Sequence, residues 1–441
     1  MKAVAAISRR AFLGEVAGAA GAIAAGMQVV PSGVLAAAGR PGANDRIGIG
    51  GIGIGRQGGG LVAELKTKPE ARFVAIADAN MARAREVAAG LGAEAYQDYR
   101  RLLERADVDA IVTATPDHWR SLVCIHACQA GRDVYAEKPM TLTIREGRLM
   151  VEAVRRYGRV FQTGSQQRSM AANRLGCELV RNGRIGKVRR VIAHNYPSPW
   201  ECALPAQPVP DGLDWDLWCG PNPVVPYHID LCTPRANPGW ISFRPYSGGE
   251  MTGWGSHGLD QVQWALGMDE SGPVEVWSEG DPFAPPTYAA PESRERGDAI
   301  CARPKVFFRY PGDIVMELGD GPAGGAVFVG ERGTITIDRA VCKSDPPDIA
   351  EQPIREGELR LARSDNHMQN WLDCIRSRER PMADVETGHR SATVCHLGNI
   401  ARWLGRRLVW DPVAERFVGD AEADAQLDRP RRAPYALPER I

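Results

Sequence analysis

Three groups of residues in this sequence could do chemistry. The first is Gly53-x-Gly55-x-x-Gly58, with Arg56 and Gln57 between the last two glycines, answered by Asp78, 20 positions after Gly58. Gly53 permits a tight turn, Gly55 lets a pyrophosphate approach the backbone, and Gly58 lets a helix pack against the preceding strand. The free N–H groups and partial positive charge at that helix's N-terminus would hold the phosphates. An acid in the position of Asp78 accepts hydrogen bonds from the ribose of a dinucleotide, and its charge repels a 2′-phosphate. That favours NAD over NADP, although Arg83 and Arg85 stand close enough in sequence to meet a phosphate. The second group is Glu137-Lys138-Pro139, which places a lysine at a strand end. Its ammonium can hydrogen-bond a reacting oxygen and stabilise charge developing there. The third is His257, which begins a helix and titrates near neutrality, as suits a general base.

The elements that must position these residues follow from the pattern. Ile47, Ile49 and Ile52 mark a buried strand before the glycine turn, and Leu61 to Leu65 continues as a helix. Phe73 to Ala77 is a second strand that ends at Asp78. Helices are expected over Met81–Gly90 and Tyr96–Leu103, then a strand over Asp109–Ala114 that Thr115-Pro116 stops. Asp117–Gln129 is helical, with Asp117 placed to cap it. Strands at Asp133–Ala136 and Arg159–Thr163 flank a helix at Thr143–Tyr157. Such alternation means a parallel, doubly wound Rossmann sheet over residues 44–165. The second half is different. Proline and tryptophan crowd Tyr196–Trp240, and strand-like runs separated by Gly/Pro turns follow between Val274 and Ile337. An α/β domain with an open, mostly antiparallel sheet is expected over 166–410, closed by helices at His367–Ser377 and Gly388–Leu404. An Arg/Pro-rich tail, 411–441, should wrap the surface.

The chain is 441 residues long, with 54 basic and 54 acidic side chains. That length calls for two domains, and the charge balance argues against a nucleic-acid partner. The ten cysteines are scattered without metal-ligand spacing, so neither a metal site nor a disulfide framework is expected. Residues 1–38 read as a twin-arginine signal peptide. Ser8-Arg9-Arg10-Ala11-Phe12-Leu13 precedes a weakly apolar Ala/Gly segment, and Ala36-Ala37-Ala38 offers a cleavage site. The expected location is periplasmic or otherwise exported, with no membrane association after cleavage. Proteins on this route travel folded, often with cofactor bound.

These segments together resemble the Gfo/Idh/MocA oxidoreductase superfamily. The resemblance is carried by the glycine turn with Asp78, Ala114-Thr115-Pro116-Asp117-His118-Trp119, Ala136-Glu137-Lys138-Pro139 and Gly164-Ser165-Gln166-Gln167-Arg168. It continues through Asp214-Trp215-Asp216-Leu217-Trp218, Trp254-Gly255-Ser256-His257-Gly258-Leu259-Asp260 and Gly388-His389-Arg390-Ser391-Ala392-Thr393. The Asp-Trp-Asp and Gly-His-Arg-Ser segments are similar to the exported bacterial branch, which includes NAD-dependent glycoside hydrolases. The resemblance implies NAD as cofactor, a carbohydrate substrate, and a homo-oligomer, dimer or tetramer, built through the open sheet. It implies that Thr115, Pro116, His118, Trp119, Glu137, Lys138 and Gln166 join Gly53, Gly55, Arg56, Gln57, Gly58 and Asp78 around the cofactor. Lys138 and His257 would be catalytic, and Arg168, Tyr246 and His257 would face the substrate. Trp200, Trp215 and Trp218 either stack on sugar faces or anchor the loops. The sequence departs from the family in two places. The Asp that usually stands four residues before the histidine is Gly253, and a frequent second histidine is Arg120. Asp260 or Glu250 could supply the missing carboxylate, or Lys138 and His257 act without it.

Three functions remain open on these residues. The first is hydride transfer between a sugar secondary alcohol or ketone and tightly bound NAD. The second is a redox-neutral glycosidase, in which C3 oxidation acidifies C2–H, elimination expels the aglycone, water adds and C3 is reduced again. The third is a non-catalytic, nucleotide-bound carbohydrate-binding protein.

Overall fold

The computed structural model describes residues 42, 45–232, 239–285, 287–290 and 300–441. The twin-arginine segment and its cleavage site, 1–38, lie outside the described residues.

The cofactor domain alternates strand and helix as its hydrophobic runs require. Its elements are β1 (Ile47–Ile52), α1 (Arg56–Leu65), β2 (Ala71–Ala77), α2 (Met81–Ala89), β3 (Glu94–Tyr96) and α3 (Tyr99–Leu103). They continue with β4 (Ala110–Thr113), α4 (Asp117–Gln129), β5 (Asp133–Ala136), α5 (Ile144–Arg156) and β6 (Phe161–Thr163). All neighbouring strands pair in parallel, in the order β3-β2-β1-β4-β5-β6. The order reverses direction between β1 and β4, so the carboxyl ends of these two strands open the crevice where such sheets bind ligands. Polar caps set the helix starts. Asn80 accepts the Arg83 N–H ahead of α2, and Thr143 accepts the Glu146 N–H ahead of α5.

After α6 (Ala171–Arg181) the chain builds a nine-stranded sheet. Its strands are β7 (Val188–His194), β8 (Glu275–Glu279), β9 (Lys305–Tyr310), β10 (Ile314–Gly319), β11 (Ala326–Gly330), β12 (Gly333–Asp338), β13 (Val341–Asp345), β14 (Leu408–Asp411) and β15 (Arg416–Phe417). The order is β13-β12-β11-β7-β10-β9-β8-β14-β15, antiparallel except between β7 and β10. The strands alternate buried and partly exposed residues, as β9 does with Val306, Phe308 and Tyr310 inward. Helices α7 (Glu250–Gly253), α8 (Gly255–Leu266), α9 (His367–Ser377) and α10 (Val385–Leu404) complete the layers. The sequence pattern shows five of these strands, β8 to β12, but not β7, β13, β14, β15 or α6.

Two late helices return to the cofactor domain. Met368, Trp371 and Leu372 of α9 join the core beneath β1, with Ile49 and Leu65. The start of α10 lies in the core on the other face of that sheet through Val385 and Ala392, while Val394 to Ala401 belong to the core of the second sheet. One continuous helix therefore links both cores. The tail also packs back, with Tyr435, Leu437 and Ile441 against the same cofactor-domain core and Arg432 donating to Gly220 O (3.0 Å).

Candidate active site

The cleft at the end of β1 and β4 is shaped by three glycines with different physical roles. Gly53 turns at φ +69°, and a Cβ there would stand 2.7–2.9 Å from Thr115. A Cβ on Gly58 would run into the Gly53 carbonyl oxygen. Both are glycine because the protein's own backbone leaves no space. Gly55 differs, since a Cβ there would meet nothing nearer than Arg83 Nη1, at 3.8 Å. That space belongs to the cleft, whose wall includes Gly55, Arg56 and Gln57 at the start of α1. Gly55 caps α1 without a side chain, leaving first-turn N–H groups for an anion.

Asp78, at the end of β2, is held from three sides. Its Oδ2 accepts the Ile54 N–H (2.9 Å), its Oδ1 accepts the Asn80 N–H (2.8 Å), and Arg83 Nη1 lies 3.4 Å from both oxygens. A carboxylate has about four lone-pair sites, so acceptor capacity remains for ribose hydroxyls. The buried Glu137 organises the other end of the cleft. Its Oε1 accepts from Gln57 Nε2 (2.9 Å) and Gln166 Nε2 (3.0 Å), and its Oε2 accepts from the Lys138 N–H (3.1 Å). Thr115, Pro116, Trp119, Glu137 and Lys138 line the cleft with the glycine turn and Asp78. An open space at Gly55, free helix amides and a braced carboxylate fit a dinucleotide.

Lys138 follows β5, and its Nζ donates to the Gly253 carbonyl (3.3 Å). This carbonyl is available because the helix breaks there. The His257 N–H donates to Trp254 O (2.8 Å), at the step from α7 to α8. His257 is buried, its ring edge-on to Trp254 at 5.5 Å. Arg120, where the family's second histidine is frequent, is a buried clamp. It donates to Asp117 Oδ1 (3.0 Å) and to the carbonyls of Thr115 and Pro139, tying the turn after β4 to the segment carrying Lys138. Asp117 does not cap α4. It points inward, accepting also from Ser247 Oγ (2.8 Å), and burial pushes its carboxyl up against the pull of Arg120.

Three expected site residues are placed elsewhere. Arg168 is inside the core, where its Nε donates to Asp260 (3.0 Å) and its Nη2 to Asp269 (2.7 Å), over the face of Trp264. Its guanidinium is thus spent on internal carboxylates rather than offered to a substrate. Tyr246 is buried to 1% exposure between His118 and Trp218. His118 is not on the cofactor wall. Its Nε2 lies 2.8 Å from Trp218 O, and burial lowers its pKa to about 3, so it is a neutral packing histidine. Trp215 and Trp218 stack on each other at 4.5 Å as loop anchors, Trp218 also reaching the cleft wall. Trp240 and Ile241, on the wall as well, carry no motif in the sequence; only the long loop brings them there. Gln166 stays beside the cleft through Glu137 and Tyr135 Oη (3.2 Å). Among the described residues there is no group of His, Cys, Asp and Glu that could hold a metal.

Residues 46–165 match the oxidoreductase-family NAD-binding Rossmann fold, and residues 187–437 match that family's C-terminal alpha/beta domain. The chain belongs to the Gfo/Idh/MocA oxidoreductase family, and its first domain is that family's NAD-binding Rossmann domain. Myo-inositol 2-dehydrogenase from Thermotoga maritima is 33% identical over 157 residues, 35% of this chain and 46% of the relative. A 2,7-anhydro-N-acetylneuraminate hydratase from Mediterraneibacter gnavus is 29% identical over 150 residues, 34% of this chain and 39% of the relative. The chain thus spans less than half the length of these curated relatives. The WlbA dehydrogenase from Bordetella pertussis, in complex with NADH and UDP-GlcNAcA, shares the fold with a TM-score of 0.58 at 20% identity, over 83% of this chain and 99% of that one. An aldose-aldose oxidoreductase from Caulobacter crescentus does so with a TM-score of 0.55 at 17% identity, over 82% of this chain and 99% of that one.

Proposed function

We propose that this chain transfers a hydride between bound NAD and a secondary alcohol or ketone of a carbohydrate. The observation that carries the proposal is the Lys138 ammonium on the cleft wall, held against the helix break that precedes His257. Gly53, Gly55, Gly58, Asp78, Glu137 and the first turn of α1 would hold NAD, which when bound takes or returns the hydride. Lys138 hydrogen-bonds the reacting oxygen and stabilises charge developing on it. His257 takes the hydroxyl proton in oxidation and returns it in reduction. Arg120 holds Pro139, and with it Lys138, against the turn after β4. Relatives named for inositols and for levoglucosan support a polyol or sugar substrate.

Export through the twin-arginine segment and assembly as a dimer or tetramer through the nine-stranded sheet belong to the same proposal. Outside the cytoplasm NAD must be regenerated on the protein, and a second sugar would serve, as the name of the aldose-aldose relative implies for that enzyme. The hydratase relative, whose named reaction has no net redox change, favours one second reading, the redox-neutral glycosidase.

The test is to purify the exported protein without added cofactor and offer it free sugars, inositols and aryl glycosides in D2O. A single-turnover rise in NADH absorbance, reset by a second sugar, supports the oxidoreductase. Sustained phenol release with deuterium at C2 supports the glycosidase. Neither response from protein that retains NAD would overturn both.

A further inference from the structure

We infer that the segment from Gly212 to Trp218 is a strap that keeps NAD in its cleft, and that Arg432 of the C-terminal tail is its latch. The inference deepens the proposed function and rests on NAD occupying this cleft, not on the identity of the substrate. The strap belongs to the long loop between β7 and α7, yet it is bonded to the cofactor domain on both banks of the crevice. On the β2 bank, Leu213 bridges Asn80 in antiparallel fashion. The Met81 N–H donates to Gly212 O (2.8 Å) and the Asp214 N–H to Ala79 O (2.9 Å), directly after Asp78. Gln97 Nε2 also donates to Gly212 O (3.3 Å). On the β4 bank, Trp119 Nε1 donates to Leu217 O (2.8 Å), and His118 Nε2 lies 2.8 Å from Trp218 O. A Cβ on Gly220 would run into the Trp119 ring, so the strap lies hard against this bank. Strands β2 and β4 flank β1 on its two sides. The chain between the Asn80 and Trp119 anchors therefore runs from one bank to the other beside Asp78, at the adenosine end. Ala79, Gln97, Trp119, Leu217 and Trp218 all line the cleft there.

The strap cannot hold itself. Its only regular element is the single helical turn Trp215–Cys219, too short to be stable alone. The tail supplies the support. The Arg432 N–H donates to Pro221 O (2.8 Å), and its Nε to Gly220 O (3.0 Å) and Asn222 O (3.1 Å). Its Nη1 donates to Asp216 Oδ1 (2.8 Å) and its Nη2 to Asp216 O (3.0 Å). Three residues on, Tyr435 meets Trp119 edge-on at 5.1 Å, which ties the tail to the β4 bank. Hydrogen bonds from a charged donor are stronger than neutral ones, so one arginine outside the cleft wall fastens both ends of the turn. Local opening of such a segment requires these bonds to break together. Release of NAD past the strap is then slow, as an exported protein with a resident cofactor requires.

The test loads the purified protein with tritiated NAD and chases it with excess unlabelled NAD. Label retained through rapid gel filtration gives the release rate. Arg432→Ala should release NAD about tenfold or more faster than wild type. Arg432→Lys, which keeps the charge and loses the guanidinium fork, should fall between the two. Faster release also follows from a loosened fold, so a second variant runs the other way. Asn80 and Leu213 form a non-hydrogen-bonded antiparallel pair, whose Cα atoms stand about 4.5 Å apart, within the span of a disulfide. Oxidised Asn80→Cys/Leu213→Cys should release NAD about tenfold or more slowly than the same protein after reduction, while wild type is indifferent to reductant. A loosened fold produces no such reversible slowing. Equal release from the oxidised and reduced double variant, or a wild-type rate in Arg432→Ala, would overturn the inference. If the pair does not oxidise, Arg432→Ala alone decides. NAD exchange needs no substrate, so a protein that reduces its NAD with no sugar loses the hydride-transfer proposal, and the release rates still decide the strap.

Discussion

Gln57 donates its side-chain amide to Glu137 Oε1 across 2.9 Å, although 80 residues separate the two in sequence. The bond joins the first turn of α1, which would meet the cofactor phosphates, to the strand end that carries Lys138. Glu137 and Lys138 are neighbours in the chain, yet their loss should read out differently. Glu137→Ala leaves the side-chain amides of Gln57 and Gln166 without their charged acceptor, each such bond being worth about 1.5–3 kcal/mol. NAD retention should fall roughly tenfold or more, measured as cofactor carried through gel filtration. Lys138→Ala should keep its NAD and lose about 10²–10⁴-fold in turnover. His257→Ala should likewise slow turnover without emptying the cofactor site. Normal turnover in either variant would remove that residue from the mechanism.

The three glycines of the turn separate folding from binding. Gly58→Ala sets a methyl against the Gly53 carbonyl, so both thermal stability and NAD content should drop. Gly55→Ala meets no protein atom closer than 3.8 Å, so the melting temperature of the apoprotein should hold while NAD affinity falls. Equal NAD affinity in Gly55→Ala and wild type, by titration of the apoprotein, would mean that the pyrophosphate does not pass over this residue.

Asp78 and Arg83 face each other at the end of β2, where an acid and a guanidinium would favour NAD and NADP respectively. The carboxylate occupies the guanidinium at 3.4 Å, and Arg83 is about one-third exposed. Asp78→Ser should weaken NAD and release Arg83 for a 2′-phosphate, moving preference towards NADP by about tenfold or more. Adding Arg83→Ala should cancel the gain. A double variant that binds NADP as well as Asp78→Ser does would exclude Arg83 from the contact.

Three buried histidines make the fold sensitive to acid. Burial lowers His118 to about 3, His367 to about 4 and His396 to about 4. Each stays neutral in the folded state while the unfolded chain binds a proton below about pH 6.5. The unfolded state therefore holds more protons below that pH, and stability falls as pH drops from about 6.5 towards 4. The slope per histidine is about 1.4 kcal/mol per pH unit. Urea midpoints should be flat above neutrality and decline steeply through pH 6 to 4.5. A flat profile across that range would show that these imidazoles are protonated in place.

Much of the cofactor domain was legible because its signals are local. Ile47 to Gly58 shows a strand, a turn and a helix start within a dozen residues, and Asp78 ends the next strand. The open sheet was legible as a class through the alternating strands from Val274 to Ile337. Arg168 and Tyr246 illustrate what was not. Their neighbours in sequence place them near a domain junction, but Asp269 and Trp218, which decide their roles, lie far along the chain.

The sequence by itself determined the NAD-binding character of the first domain, the order of the Rossmann and C-terminal α/β domains, and the place of Lys138 just after a strand end. These rest on backbone requirements of short range, namely a positive φ, a helix terminus and a strand end. Only the tertiary structure decided that Arg168 is an internal ion pair, and that α9 and α10 return to complete the core of the cofactor domain. Those outcomes depend on burial and pairing between distant segments, which the order of residues along the chain does not encode locally.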